Sequence, residues 1–199
     1  MAKRLKADER REEIIRAARK LFTQNGYEAT LVEEIALAAG CTTGPVYHFF
    51  GTKREIYAAA LRAGIRDIAV GLNQAREQAG DGRSTLDLLI HSCDHLLGLL
   101  SDKRVASFTL EAPRVLGVDE HREIFDKAML PFIESDLRTA MMKGEIEPEP
   151  PEPLAVIIGG AIVTSANHIA LATPRGKSKE ELERFRGALT RLLERLRSA

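Results

Sequence analysis

Residues 26–54 read GYEATLVEEIALAAGCTTGPVYHFFGTKR, and the spacing of helix breakers and caps within this stretch decides the fold. Asn25 and Gly26 close an apolar-periodic segment, since glycine readily takes the left-handed conformation that follows a helix. Thr30, with Glu33 three residues on, has the pattern of a capping box and predicts the start of a second helix. Gly40 stops that helix early. Thr42 then offers a new N-cap, and Pro45 falls in a first turn, where a missing N–H costs little because those groups have no intrahelical acceptor. A third helix over about Thr43 to Phe49 follows. Two short helices joined by a tight glycine-containing turn, the second opening on small polar residues, can set a recognition helix in the major groove of DNA. Short helical hairpins also occur in proteins that never touch DNA.

Outward from this stretch the chain reads as helices. Upstream, Ile14, Ala17, Ala18, Leu21 and Phe22 form one apolar stripe of a first helix from about Ala7 to Gln24. Downstream, Thr52 caps a long fourth helix bearing Tyr57, Leu61, Ile65, Ile68 and Leu72 on one face. Gly80, Asp81 and Gly82 break it, and Ser84 caps a fifth helix to about Leu100. A sixth helix over Asp102 to Leu116 contains Pro113, and a seventh over Asp119 to Lys143 contains Pro131; each proline is expected to kink or end its helix. Glu147 to Pro153 reads as a proline-acid linker, Leu154 to Ala172 as an eighth helix, and Lys179 to Arg197 as a ninth. The fold class is therefore all-α. At 199 residues the chain could hold one large domain or two small ones.

Composition narrows the function. The 199 residues are 44% hydrophobic and 29% charged, with a net charge of zero, so the chain is not a polycation that coats nucleic acid throughout. Charge is uneven, however: residues 1–20 carry eight basic against four acidic side chains, so a polyanion would meet the N-terminal end. Cys41 and Cys93 stand apart without metal-like spacing, and the basic start is not followed by an apolar signal core. A cytoplasmic location, with no cofactor, is the expectation. Leu154 to Thr173 lacks any Asp, Glu, Lys or Arg and is long enough to span a bilayer, but Thr164, Ser165, Asn167 and His168 in its middle favour a helix buried between protein surfaces and no membrane partner. No phosphate-binding glycine loop, nucleophile elbow or paired acid-base constellation supports an enzyme.

The run Arg11 to Phe22, then Gly26-Tyr27-Glu28-Ala29-Thr30, Ile35-Ala36, Ala39-Gly40, Gly44, Val46-Tyr47, Phe50 and Lys53 closely resembles the N-terminal domain of TetR-family regulators over about residues 10–56. The departures are Cys41, Pro45, Phe49 and Arg54. The resemblance implies a three-helix DNA-binding domain over residues 1–52 and a larger helical domain over 53–199, and with them a repressor, a homodimer on double-stranded operator DNA, released by a small-molecule effector held in the second domain. It implies phosphate contacts from Thr30, Tyr47 and Lys53, and base reading by Thr42, Thr43, Pro45 and His48. Arg54 would add a phosphate contact, and the arm Lys3, Arg4 and Lys6 would enter the minor groove or remain a solvated tail. Tyr47 packing on the first helix is the alternative to its phosphate contact. Cys41 fills a small apolar site in the turn.

In the second domain the resemblance implies that the last two helices of each subunit form a four-helix dimer bundle. The pattern agrees: Leu182, Phe185, Leu189, Leu192 and Leu196 step 3-4-3-4 beside an uncharged helix carrying Ile158 and Ile162. On the fifth helix His91, Asp94 and His95 lie opposite the apolar face, as a wet polar face, a metal site or part of a ligand cavity. The polar face is preferred and no metal is expected. With His91 and His95, the candidate effector contacts are Phe108, Glu111, Met129, Phe132, Asn167 and His168, apolar walls with a few polar anchors. A DNA-binding dimer without any ligand is the further alternative.

Overall fold

The computed structural model describes residues 2–78, 82–172 and 178–198. Among these, nine helices follow one another: α1 Ala2–Ala29, α2 Val32–Ala38, α3 Thr43–Phe50, α4 Lys53–Gln78, α5 Thr85–Ser101, α6 Lys103–Leu116, α7 Val118–Met142, α8 Pro151–Ala172 and α9 Ser178–Glu194. The all-α reading holds. Several boundaries move for identifiable reasons. Helix α1 starts at Ala2 instead of Ala7, and runs to Ala29 across a break at Gly26, whose φ of 80° and ψ of 171° interrupt the helix without a Cβ penalty. Leu31, not Thr30, is the N-cap of α2; the Glu34 carboxylate accepts its N–H at 3.0 Å. Pro113 does not end α6, which continues to Leu116. Pro151 and Pro153 lie in the first turn of α8, where proline is tolerated, so the linker is shorter than expected.

The chain divides into two compact units, Met1–Arg66 with Ser107–Ile124, and Asp67–Ala106 with Phe125–Ala199. The first unit thus takes in more than the 1–52 segment that bears the motif. Its core joins Ile14, Ala18 and Phe22 of α1 to Ile35 of α2 and Val46 of α3. An aromatic cluster completes it: Tyr57 lies 5.1 Å from Phe22, 5.3 Å from Tyr27 and 4.9 Å from Phe108, centroid to centroid. The Tyr57 hydroxyl donates to the Phe108 carbonyl, and burial followed by the charge of Glu111 pushes its pKa upward.

The second unit is built on α5, which packs against α8 and α9. Leu86, Leu89, Cys93 and Leu97 of α5 are buried, as are Ala155, Ile158, Ile162, Ala166 and Ile169 of α8. Gly159 permits close approach within this unit, since a Cβ there would come 3.0 Å from Leu130 of α7. The start of α5 is capped twice. Ser84 accepts the Asp87 N–H at 3.1 Å, and the Glu145 carboxylate accepts the N–H groups of Thr85 and Leu86 at 3.0 and 2.8 Å. Burial opposes ionisation of Glu145, but those two N–H donors together with the Lys143 charge and the Thr85 side chain hold its pKa below the ordinary value.

Candidate nucleic-acid interface and effector cavity

Helix α3 is anchored by two buried residues and exposes part of the remainder. Val46 is fully buried and Phe50 nearly so, whereas Tyr47 is 47% exposed and His48 and Thr42 are exposed. Because 46 and 50 are four apart, one stripe faces the core, and Thr43 and Pro45 are left half-buried beside the turn. Thr42 is the N-cap in extended conformation, yet its side chain makes no capping bond. Its hydroxyl is thus not spent on the helix. Two basic residues of α1 hold the motif in place: Arg10 donates to the Ala39 carbonyl at 2.9 Å, and the Arg11 guanidinium lies 5.2 Å over the Phe50 ring. Cys41 is half-buried in the turn.

The flanking positions are less uniform. Thr30 is fully buried and its hydroxyl donates to the Gly26 carbonyl at 2.7 Å, so it closes the α1 break and cannot reach a phosphate as expected. Lys53 donates to the Glu28 carbonyl at 3.2 Å and lies 4.5 Å over the Tyr27 ring, a tether that keeps its ammonium beside the start of α4. Arg54 is occupied: it donates to the Val115 and Leu116 carbonyls at 3.2 and 2.7 Å and to Glu120 at 2.6 Å, so the extra phosphate contact falls away. The backbone of Lys3 and Arg4 continues α1, which removes the free arm, and their side chains lie outside the described residues; Lys6 is exposed.

In the second unit α4, α5 and α7 line a small, partly open cavity of about 20 Å³, roughly room for one water. Its walls are Leu72, Leu89, Leu96, Met129, Phe132 and Ile133, crossed by a paired Arg76 and Asp136. The pair is bidentate, Nη1 to Oδ2 at 2.5 Å and Nη2 to Oδ1 at 2.7 Å. Cys93 also lines it, and burial, then the charges of Asp136 and Asp94, push its thiol up to about 12, so no thiolate is available there.

The sequence profile described as "Bacterial regulatory proteins, tetR family" matches residues 14–60, and that of "Tetracyclin repressor-like, C-terminal domain" matches residues 86–196, over half of the chain. The chain belongs to the TetR family. Among curated relatives it is 36% identical over 83 residues to the HTH-type transcriptional activator FasR of Mycolicibacterium smegmatis, a match covering 42% of this chain and only 38% of FasR. Among solved structures, a TetR-family transcriptional regulator of Pectobacterium atrosepticum superposes with a TM-score of 0.80 at 24% identity, covering 98% of both chains. FadR of Bacillus subtilis, solved in complex with stearoyl-CoA, gives 0.66 at 20% identity over 92% of this chain and 96% of that one. TetR-family proteins are transcriptional regulators, not enzymes.

For this TetR-family chain the structure redistributes the expected effector contacts. Met129 and Phe132 line the cavity. Phe108 and Glu111 instead belong to the first unit: Phe108 is in the aromatic cluster, and Glu111 accepts the Tyr27 N–H at 2.8 Å beside the Gly26 break. Neither lines the cavity: Phe108 packs against Phe22 of α1 and Tyr57 of α4, and Glu111 is bonded to Tyr27 of α1. His91 is half-buried and His95 exposed, and neither lines the cavity; Asp94 lies 3.1 Å from Arg186 Nε, off the line of a hydrogen bond. Among the described residues no group of three or more His, Cys, Asp or Glu can hold a metal. His168 is exposed with its ring 5.2 Å from Phe185, and Asn167 is half-buried on α8; neither reaches the cavity.

The expected dimer residues are redistributed as well. Ile158, Ile162 and Leu189 are buried within the protomer itself, so they hold its own core and are not a surface for a partner. Leu182, Phe185 and Leu196 are half-buried, and Leu192 is 53% exposed. The exposed apolar side of α8 is instead Val156, Ile157 and Leu171. The helix Pro151–Leu171, with a mean hydropathy of 1.8, is long and apolar enough to cross a membrane by length and composition. Sequence reasoning missed Asp136, although a signal existed: it stands on a stripe of α7 otherwise made of Met129, Ile133, Leu137 and Ala140, where a lone carboxylate needs a counter-charge.

Proposed function

We propose that this chain is a one-component transcriptional repressor, cytoplasmic and homodimeric, that binds a two-fold symmetric operator and leaves it when a small molecule enters the cavity of its second unit. The observation that carries this reading is α3, which buries Val46 and Phe50 while Thr42, Tyr47 and His48 are exposed. Thr42, Thr43, Pro45 and His48 read bases, while Tyr47 and Lys53 fix the register on phosphates. The motif-bearing domain of residues 1–52 and the effector and dimerisation domain of 53–199 are the functional division. The dimer surface is the exposed side of α8, Val156, Ile157 and Leu171, together with Leu192 of α9, rather than a membrane contact.

Selection of bound DNA from a random pool tests this. The expected product is an inverted repeat whose half-site centres are spaced by about one helical turn of 34–36 Å or a multiple of it. Unselected or single-site sequences would count against it. The sign of regulation is read from a promoter reporter, which matters because FasR is named an activator. The small volume of the cavity, about 20 Å³ against the roughly 300–1,000 Å³ of occupied ligand sites, favours a second reading, a repressor that needs no ligand. On the first reading the walls must yield to admit the effector.

A further inference from the structure

We propose that the effector cavity selects an organic cation with an apolar body, which displaces Arg76 and takes its place on Asp136. This deepens the reading of that cavity as the effector site and rests on it. The wall is largely apolar; besides Asn73 and Ser92, whose hydroxyl donates to the Leu88 carbonyl, its polar groups are the bidentate Arg76–Asp136 pair, the one place where it carries charge, so a charged ligand that enters must deal with that pair. Its two members are not equivalent. The Asp136 side chain is 10% exposed and that of Arg76 is 22% exposed. Asp136 sits on a short stem within the apolar stripe of α7, and it cannot follow a partner outward. Arg76 has a long flexible stem on α4 and can carry its charge into solvent while its methylenes stay against the protein.

Each ligand class therefore meets a different cost. An anion that captured Arg76 would strand Asp136 as a buried carboxylate with no counter-charge, the costly way to break such a pair. A cation that captured Asp136 would leave only Arg76 to be rehoused, and solvent accepts it. The exchange is electroneutral within the wall, and it also answers the small volume: a departing guanidinium vacates space that the ligand fills. Met129 and Phe132 suit such a guest, the first a buried polarisable thioether and the second an aromatic ring that is itself 38% exposed. A planar amidinium matches the two carboxylate oxygens as the guanidinium does.

The test titrates the full chain with benzamidinium, and with its near-isosteres benzamide and benzoate, by calorimetry. Benzamidinium is expected to bind at least tenfold more tightly than either. Asp136→Asn is expected to erase that preference and leave benzamide unchanged, and Arg76→Met to tighten benzamidinium severalfold because the internal competitor is gone. The double variant Arg76→Met with Asp136→Asn, which leaves no unpaired charge, controls for folding by circular dichroism and should show no preference. Should Asp136→Asn fail to fold, the Arg76→Met titration decides alone. Stronger binding of benzoate, benzamidinium binding that ignores both residues, or no binding of benzamidinium overturns the proposal. Operator titration with the same probe separates the two claims: Asp136-dependent binding that leaves DNA bound keeps the site and defeats the release reading.

Discussion

Helices α3 and α8 both expose side chains that their own unit does not need, and the chemistry of what they expose is opposite. Helix α3 buries Val46 and Phe50 and offers water Thr42, Tyr47 and His48. Helix α8 buries Ala155, Ile158, Ile162, Ala166 and Ile169 and offers water Val156, Ile157 and Leu171, the last 72% exposed. A hydroxyl, a phenol and an imidazole are at ease in water and can exchange it for phosphates and base edges. Three aliphatic chains are not at ease there, and burying each against an apolar partner is worth roughly 1.5–3 kcal/mol. The first surface is suited to a wet, charged polymer, the second to another protein surface.

Breaking the apolar side has the largest expected effect. Ile157→Glu combined with Leu192→Glu changes two exposed residues, so the protomer should keep its helicity by circular dichroism. Four like charges in one two-fold interface, each costing several kcal/mol if buried and ionised, should separate the subunits. Analytical ultracentrifugation should report a monomer, with operator affinity lowered a hundredfold or more. A persistent dimer would place the interface elsewhere.

The polar side is sharpened by splitting its residues into two kinds. Lys53→Ala should weaken binding to every DNA sequence and lower the salt slope by about one, because a phosphate contact releases counterions without reading bases. His48→Ala should instead change which bases are selected, by about 1–3 kcal/mol at one position. Binding isotherms over a range of salt, on operator and on scrambled DNA, separate the two. Equal losses on both DNAs for His48→Ala would remove it from the reading set.

A smaller effect belongs to the caps that hold α5 under α8. The folded-state pKa values of Asp87 and Glu145 are lowered, the first by bonds to Ser84 and Arg197, the second by the N–H groups of Leu86 and Thr85. Groups lowered in this way contribute stability above the ordinary carboxylate range and lose it as pH falls through their folded-state values. Glu145→Gln should therefore cost about 1 kcal/mol at pH 7, and the gap to the parent protein should close from about pH 5 downward. Urea midpoints across that range measure it; a gap independent of pH would mean that the charge of Glu145 plays no part.

Much of the first unit is legible in the sequence because its signals are local. Gly26 and Gly40 are set where the backbone turns with positive φ, at 80° and 65°, and Val46 and Phe50 are spaced to share one face. Thr30 bonds the Gly26 carbonyl only four residues back, a local alternative to the cap, whereas Arg54 escapes a local reading because its partners, the Leu116 carbonyl and Glu120, lie 62 and 66 residues away. Phe108 and Glu111 fall in the first unit, against expectation, for the same reason. Their partners, Tyr57 and Tyr27, lie 51 and 84 residues away.

Periodicity and breakers alone set the helix count and the turn between α2 and α3, since 3.6 residues per turn and the steric freedom of glycine act within a few residues. Which of the apolar faces of α8 and α9 meets the protomer's own core was a tertiary decision. Ile158 and Ile162 turn inward toward α5 while Val156 and Ile157 turn outward, although all four are equally apolar in the sequence. The pairing of Arg76 with Asp136 was decided in the same way, across 60 residues of chain. A stripe specifies that something must cover it, and only the packed structure specifies what does.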